Sequence, residues 1–297
     1  MSSLSAPSGP AVGAGMDDDR QGRAWRRLRA AAVAALVTNI GIVVTGGAVR
    51  LTASGLGCPT FPRCTGDSLV PTGELGVHGA IEFGNRLLTF VLVAVAVLVV
   101  VRAWRIRPAR RDLRALSAGL LAGIPAQALI GGVTVLTGLN PWVVMLHFVC
   151  SMVLVALATV LLRRVDEPAG PIRVVVTRPV RVLAGAVVTV AGLAAYVGTV
   201  VTGSGPHAGD RSAARTGLDV LVVTQLHADL AFALVGLTVG LVVVTRAVGA
   251  PRRLVRAADV LLVVEAAQGL IGYTQYFTGL PPLLVGAHML GASLLVA

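Results

Sequence analysis

Three of the five histidines in this 297-residue chain, His147, His227 and His288, fall inside long apolar runs. Neutral imidazole is a common metal ligand, and an ionisable side chain kept in hydrocarbon is functional by default. The spacing sharpens the point. Gln127-Ala-Leu-Ile-Gly-Gly-Val-Thr-Val-Leu-Thr-Gly-Leu-Asn-Pro141 runs on to His147, and Gln268-Gly-Leu-Ile-Gly-Tyr-Thr-Gln-Tyr-Phe-Thr-Gly-Leu-Pro-Pro282 runs on to His288. The interval from Gln127 to His147 is the same as that from Gln268 to His288. A histidine repeated at one depth of two related halves points to two equivalent ligand sites for a metal-centred cofactor. His227 facing His288 would make a bis-histidine haem site.

The first half does not repeat this pair. Counting back from His147 by nearly the interval that separates His227 from His288 reaches Asn85, which is no imidazole. The nearest alternative ligand, His78, lies two helical turns away, about 10 Å along the axis. His147 is therefore expected as the one firm ligand, with His78 as an alternative second. That arrangement suits a haem that comes and goes or reacts, while the second half suits one held permanently.

Beside Asn85, Glu82 and Arg86 are i, i+4 neighbours on a helix. They read either as an ion pair that orients the helix or as a catalytic carboxylate able to move protons, with Arg86 placed to bind a cofactor carboxylate. The repeat puts Thr224 where Glu82 stands, so the acid belongs to the first half only. Cys58 and Cys64 enclose Pro-Thr-Phe-Pro-Arg in an outer loop. In an oxidising compartment they can form a disulfide that braces the loop as a lid. Cys150 reads as a packing residue, and His207, on a Gly-Pro loop, as a solvated histidine that could cover a site. Glu265 and Asp229 are intramembrane acids without a partner in the repeat.

The elements that must position these residues follow from composition. The chain is 55% hydrophobic and 13% charged, too apolar for a soluble domain of this size. Eight apolar runs, at 30–49, 80–101, 115–137, 142–162, 182–202, 221–245, 257–277 and 281–297, are expected as transmembrane helices, since helices satisfy the backbone within lipid. All 25 basic residues are arginine, and 20 of them fall at Arg20–Arg29, Arg102–Arg114, Arg163–Arg181 and Arg246–Arg256. The positive-inside rule makes those segments cytoplasmic, with both termini inside. The net charge of +11 is then a topology signal. Nucleic-acid binding is not expected, because the arginines flank membrane spans without aromatic interleaving.

The expected organisation is a disordered tail over 1–29, a four-helix half over 30–163, a linker over 164–181 and a second four-helix half over 182–297. The fold class is all-α integral membrane, with the halves related by a pseudo-twofold axis along the membrane normal. A helical transporter built from repeats and a dihaem b-type electron carrier are the rival readings.

Thr45-Gly-Gly-Ala-Val-Arg50-Leu-Thr-Ala-Ser-Gly-Leu-Gly-Cys58, the Glu82…Arg86 motif, the Gly203-Ser-Gly-Pro-His-Ala-Gly-Asp210 loop and the two Thr-Gly-Leu-x-Pro…His repeats together resemble haem A synthases, over about residues 30–297. The resemblance implies an eight-span enzyme that oxidises the C8 methyl of haem O to a formyl, giving haem A for terminal oxidases. It implies haem b as cofactor on His227 and His288, substrate haem at His147, a functional role for Glu82, and a loop cysteine pair at Cys58 and Cys64. It further implies a bacterial plasma membrane location. Haem O synthase and terminal oxidase assembly factors would be partners, and homo-oligomers stay open. The sequence departs from the family's Glu-x-x-His-Arg in having Asn85, and its second outer loop lacks a cysteine pair.

Overall fold

The computed structural model describes residues 12–168, 170 and 175–297, and side chains from residue 19 onward. Among the described residues there is no strand. Eight helices follow in order: α1 (Val12–Leu51), α2 (Gly76–Arg105), α3 (Arg111–Leu136), α4 (Pro141–Val165), α5 (Arg178–Ser204), α6 (Val220–Ala247), α7 (Arg252–Phe277) and α8 (Pro282–Val296). The first six are long and apolar enough to cross a membrane, which makes this a multi-pass membrane protein. α7 has the length, 26 residues, but carries Asp259, Glu265 and two glutamines; α8 is apolar but only 15 residues long.

The tail expected over 1–29 differs from what is seen. Its first part lies outside the described residues, but from Val12 the backbone is already helical and continues into the first apolar run. Arginine and alanine from 20 to 35 are good helix formers with no breaker among them apart from Gly22. The linker over 164–181 is described only in part.

Local signals set the helix ends that matter. Asn140 caps α4 by accepting from the Trp142 amide at 3.0 Å, and Pro141 follows at the first helical position. Asp219 caps α6 through the amides of Leu221 (2.8 Å) and Val222 (3.2 Å). The two Thr-Gly-Leu-x-Pro copies make the same turn. Gly138 and Leu139 have φ of 60° and 59°, and Gly279 and Leu280 have 77° and 59°. The leucine amide closes each turn onto the preceding helix, Leu139 to Thr134 O at 2.8 Å and Leu280 to Gln275 O at 2.7 Å. Leucine rarely takes positive φ, so its appearance in both copies shows that the sequence repeat is a structural one.

In the first half α1–α2, α2–α3, α3–α4 and α1–α4 all pack, closing a four-helix ring. In the second, α5–α6, α6–α7 and α7–α8 pack, but α5 and α8 do not pack closely. The halves meet through α4–α5, α1–α8 and α4–α8. Each half is solid at its arginine-rich end. Leu28, Val99, Leu113, Leu120 and Leu161 fill one core, and Val180, Val187, Leu234 and Leu241 the other. Lipid gives helices little hydrophobic reason to associate, so close approach over small residues carries the packing. Ala31, Ala32, Ala35, Ala103 and Ala158 supply it in the first core. The histidines lie toward the opposite end, where glycines replace the alanines and leucines.

Candidate functional site

In the second half the rings of His227 (α6) and His288 (α8) face each other, with centroids 6.2 Å apart and planes at 81°. With a metal–imidazole bond of about 2 Å on each side and about 1 Å from nitrogen to ring centre, two imidazoles on one metal stand roughly 6 Å apart. His227 Nδ1 lies 3.0 Å from the carbonyl oxygen of Ala194 on α5. Donating its proton there leaves Nε2 with a free lone pair, because the carbonyl fixes which ring nitrogen carries the hydrogen. His288 Nδ1 is buried without a partner. Among the described residues no three His, Cys, Asp or Glu side chains gather as an ion site. A facing pair therefore suits an iron whose remaining ligands come with it, as in haem, and the residues fit that group.

Glycine makes room for each ring. A Cβ on Gly198 would stand 3.0 Å from His227 Cε1, and one on Gly272 would stand 3.5 Å from His288 Cε1. In the first half a Cβ on Gly131 would lie 3.2 Å from His147 Cε1. Gly131 and Gly272 stand at the same offset before their histidines, so the repeat reproduces both the histidine and the gap beside it. That shared glycine offset is the sequence signal for a feature that ligand-type residues alone do not show.

His147 stands without a facing imidazole. Its Nδ1 is buried and unpartnered. Gln127 Nε2 donates to the His147 carbonyl at 3.0 Å and to Ser151 Oγ at 2.5 Å. Asn85 is taken up by α1, its Oδ1 accepting from Thr45 Oγ1 at 2.7 Å. His78 is exposed on the first turn of α2, with Nδ1 2.9 Å from Ser54 Oγ. The structure does not bring it to His147.

The loop between α1 and α2 is a roof. Cys58 and Cys64 form the disulfide, both fully buried. Between them Phe61 lies so close over Gly132 that a Cβ there would be 2.4 Å from its ring; only glycine fits. Gly132 adjoins the Gly131 that faces His147, so the loop covers the histidine's end of α3.

Glu82 and Arg86 hold that roof. Glu82 is 5% exposed; Oε2 accepts from the Cys58 amide at 2.7 Å, and Oε1 accepts from Arg86 Nη2 at 2.6 Å and Nε at 3.2 Å. Arg86 also donates from Nη2 to Cys58 O (2.8 Å) and from Nη1 to Thr60 O (3.0 Å) and Arg63 O (3.2 Å). All five guanidinium N–H groups are thus spent on the carboxylate and the loop. None is left for a cofactor carboxylate, contrary to the expectation for Arg86.

The second-half loop is tied differently. His207, expected in solvent, is half-buried, with Nε2 2.9 Å from Leu280 O at the α7–α8 turn. Its own carbonyl accepts from Arg50 Nε at 2.5 Å, and Arg50 Nη2 donates to Thr202 O at 3.0 Å, so an α1 arginine pins the other half's loop. Asp210 accepts from Ser212 Oγ at 2.6 Å and its amide at 2.8 Å, which hold its carboxyl below the ordinary carboxylate range. Deeper, Glu265 Oε1 accepts from Thr238 Oγ1 at 2.8 Å and Oε2 is buried and unpartnered. The exposed Asp229 accepts from Gln225 at 2.7 Å.

The family model for cytochrome oxidase assembly protein matches residues 29–78 and 74–209. Among curated relatives, the heme A synthase of Lysinibacillus sphaericus (strain C3-41) is 33% identical over 180 residues, covering 59% of this chain and 58% of that protein. The heme A synthase of Alkalihalophilus pseudofirmus is 30% identical over 133 residues, 42% of this chain and 44% of that one. That of Listeria monocytogenes serovar 1/2a is 30% identical over 165 residues, 54% of each. The chain thus spans about half the length of the curated relatives it matches. With the family model extending from residue 29 to residue 209, well over half of its length, the chain belongs to the COX15-CtaA family of cytochrome oxidase assembly proteins.

Proposed function

We propose that this protein is a haem A synthase, oxidising the C8 methyl of haem O to a formyl group, in which the second half holds a resident haem b and the first half receives the substrate. The facing pair of His227 and His288 carries this reading: their spacing and the pinned Nδ1 of His227 suit residues that would hold one iron between them. A haem b held there would supply one-electron transfer.

The first half supports a substrate site. His147 offers one imidazole beside Gly131 under the Phe61 roof. Haem O enters from the lipid and docks at that imidazole without a second strong ligand, since Asn85 is bonded to Thr45 and His78 to Ser54. The same absence disfavours a carrier with two bis-histidine haems. Arg86 and Glu82 lock the loop, and closing the roof excludes water from the site. Glu82 is the carboxylate for proton handling. Both of its oxygens are engaged, so that task requires it to release the Cys58 amide or Arg86 during turnover.

The architecture in this reading is eight crossings in two pseudo-twofold halves, in a bacterial plasma membrane with both termini cytoplasmic. The matching repeat turns support it. So does the packing between halves, since α4–α5 and α8–α1 are the pairs that a twofold exchanging the halves would interchange. The test is expression with a haem O source, followed by haem extraction. Haem A is the expected product. Haem O accumulating beside folded protein, with no haem A, would overturn the assignment.

A further inference from the structure

The arginines at the helix ends away from the histidines are of two kinds. Arg29, Arg110, Arg164 and Arg246 each meet a carboxylate of Asp166, Asp112, Glu167 or Asp259 at 2.7 to 2.9 Å. Arg20, Arg23 and Arg27 of α1 and Arg102 and Arg105 of α2 instead line a single cavity of about 270 Å³. Among the described side chains, which begin at residue 19, the one acid paired to any of these five is Asp19, 3.8 Å from Arg23 and largely exposed. The convergence is built into the helices. Positions 20, 23 and 27 share a face of α1, positions 102 and 105 share a face of α2, and Ala24 keeps the floor of the cavity small. Like charges at such spacings destabilise a helix, and five guanidiniums facing one another across two packed helices ask for an anion.

The same two helices show how deep the cavity lies. Trp25 sits between Arg23 and Arg27, and Trp104 between Arg102 and Arg105. Tryptophan collects at the headgroup level of a bilayer. Each ring is also covered by an arginine from outside the cavity, Arg110 over Trp25 at 5.9 Å and Arg114 over Trp104 at 5.7 Å. One turn further into the membrane, Leu98 on the stripe of Arg102 and Arg105 is 41% exposed. An anion held in the cavity therefore has apolar surface directly beneath it.

We propose that this cavity binds the phosphate headgroup of an anionic phospholipid, with guanidiniums from α1 and α2 gripping the phosphate oxygens in the bidentate manner arginine favours and an acyl chain lying along Leu98. The positive-inside rule alone asks only for charge at this end; a specific site asks for these five arginines. Full-length protein is placed in nanodiscs of phosphatidylcholine and phosphatidylglycerol, extracted in mild detergent and weighed by native mass spectrometry. Retained lipid is expected to be enriched in phosphatidylglycerol by about tenfold. R23Q/R27Q/R102Q/R105Q is expected to remove the enrichment, and the milder R102Q/R105Q to reduce it, whereas R252Q/R253Q/R256Q, which strips charge from the same end of α7, leaves it intact. Equal loss in the α7 variant would make the effect one of net charge and overturn the site. So would undiminished enrichment in both cavity variants, and full displacement of the lipid by equimolar inorganic phosphate would make it a free-phosphate site instead.

Discussion

The two halves carry the same turn, the same glutamine and the same glycine–histidine contact, yet they differ in how the contact is finished. The second half sets His227 opposite His288 and leaves α5 and α8 without close packing against each other. The first sets His147 opposite no imidazole, closes its helix ring through α1–α4, and roofs the site with a disulfide loop locked by Glu82 and Arg86. In the proposed function, one repeat is completed as a place to keep a cofactor and the other as a place to admit and enclose a substrate. The number of histidines and the roof, more than the helices, make that difference.

The two halves should come apart most completely at His227 and His288. H288A or H227A is expected to abolish a low-spin b-type absorption spectrum, because a single imidazole cannot hold the iron from both faces; absorption of the purified, reduced protein checks it. H147A should spare that spectrum and stop haem A formation, which haem extraction reads. E82Q is expected to lower turnover by about a hundredfold or more while the spectrum stays, the usual scale for losing an acid–base group. E82A should additionally loosen the roof, since it removes the acceptor of the Cys58 amide as well as the partner of Arg86. The two variants thus separate proton handling from loop clamping, with proteolysis of the 58–64 loop as the second readout.

Smaller effects sharpen the contrast. G198A puts a methyl 3.0 Å from His227 Cε1 and should weaken haem retention by about tenfold, as changes that disturb ligand orientation do. The two outer loops should also answer to different conditions. Asp210 has a lowered pKa, so its contribution is fully present above the unfolded value of about 4 and is lost as pH falls through the folded value. Hydrogen exchange should therefore show the 205–217 loop opening in acid and in S212A, while the disulfide-closed loop opens in C58S/C64S and not in S212A.

Much of this was legible in the sequence because it is local or repeated. The apolar runs predict the helices, the Thr-Gly-Leu-x-Pro copies predict the turn, and equal spacing from Gln127 and Gln268 sets His147 and His288 each beside a glycine. The resemblance to haem A synthases was carried by motifs of which the family model spans those in the first part of the chain, from Thr45 through the first repeat at His147 and into the Gly203 loop, but not the second repeat at Thr278 to His288. Less was legible where segments far apart in the chain meet. Arg86 was expected to reach a cofactor, but its five donors go to Glu82 and to the loop that precedes α2, a saturation no spacing reveals. His78 looked like a substitute ligand by helical phase, yet Ser54 from the end of α1 claims it at the rim. His207 looked solvated because Gly and Pro surround it, and is held by the Leu280 carbonyl of a distant turn. The helical start at Val12 was hidden by a composition that also suits a disordered tail.

The most direct measurement is the haem content and absorption of the purified full-length protein, wild type beside H288A and H147A. The account predicts a reducible b-type haem that survives H147A and disappears in H288A. A wild-type protein with no Soret band, or a b-type spectrum lost in H147A and kept in H288A, would contradict it.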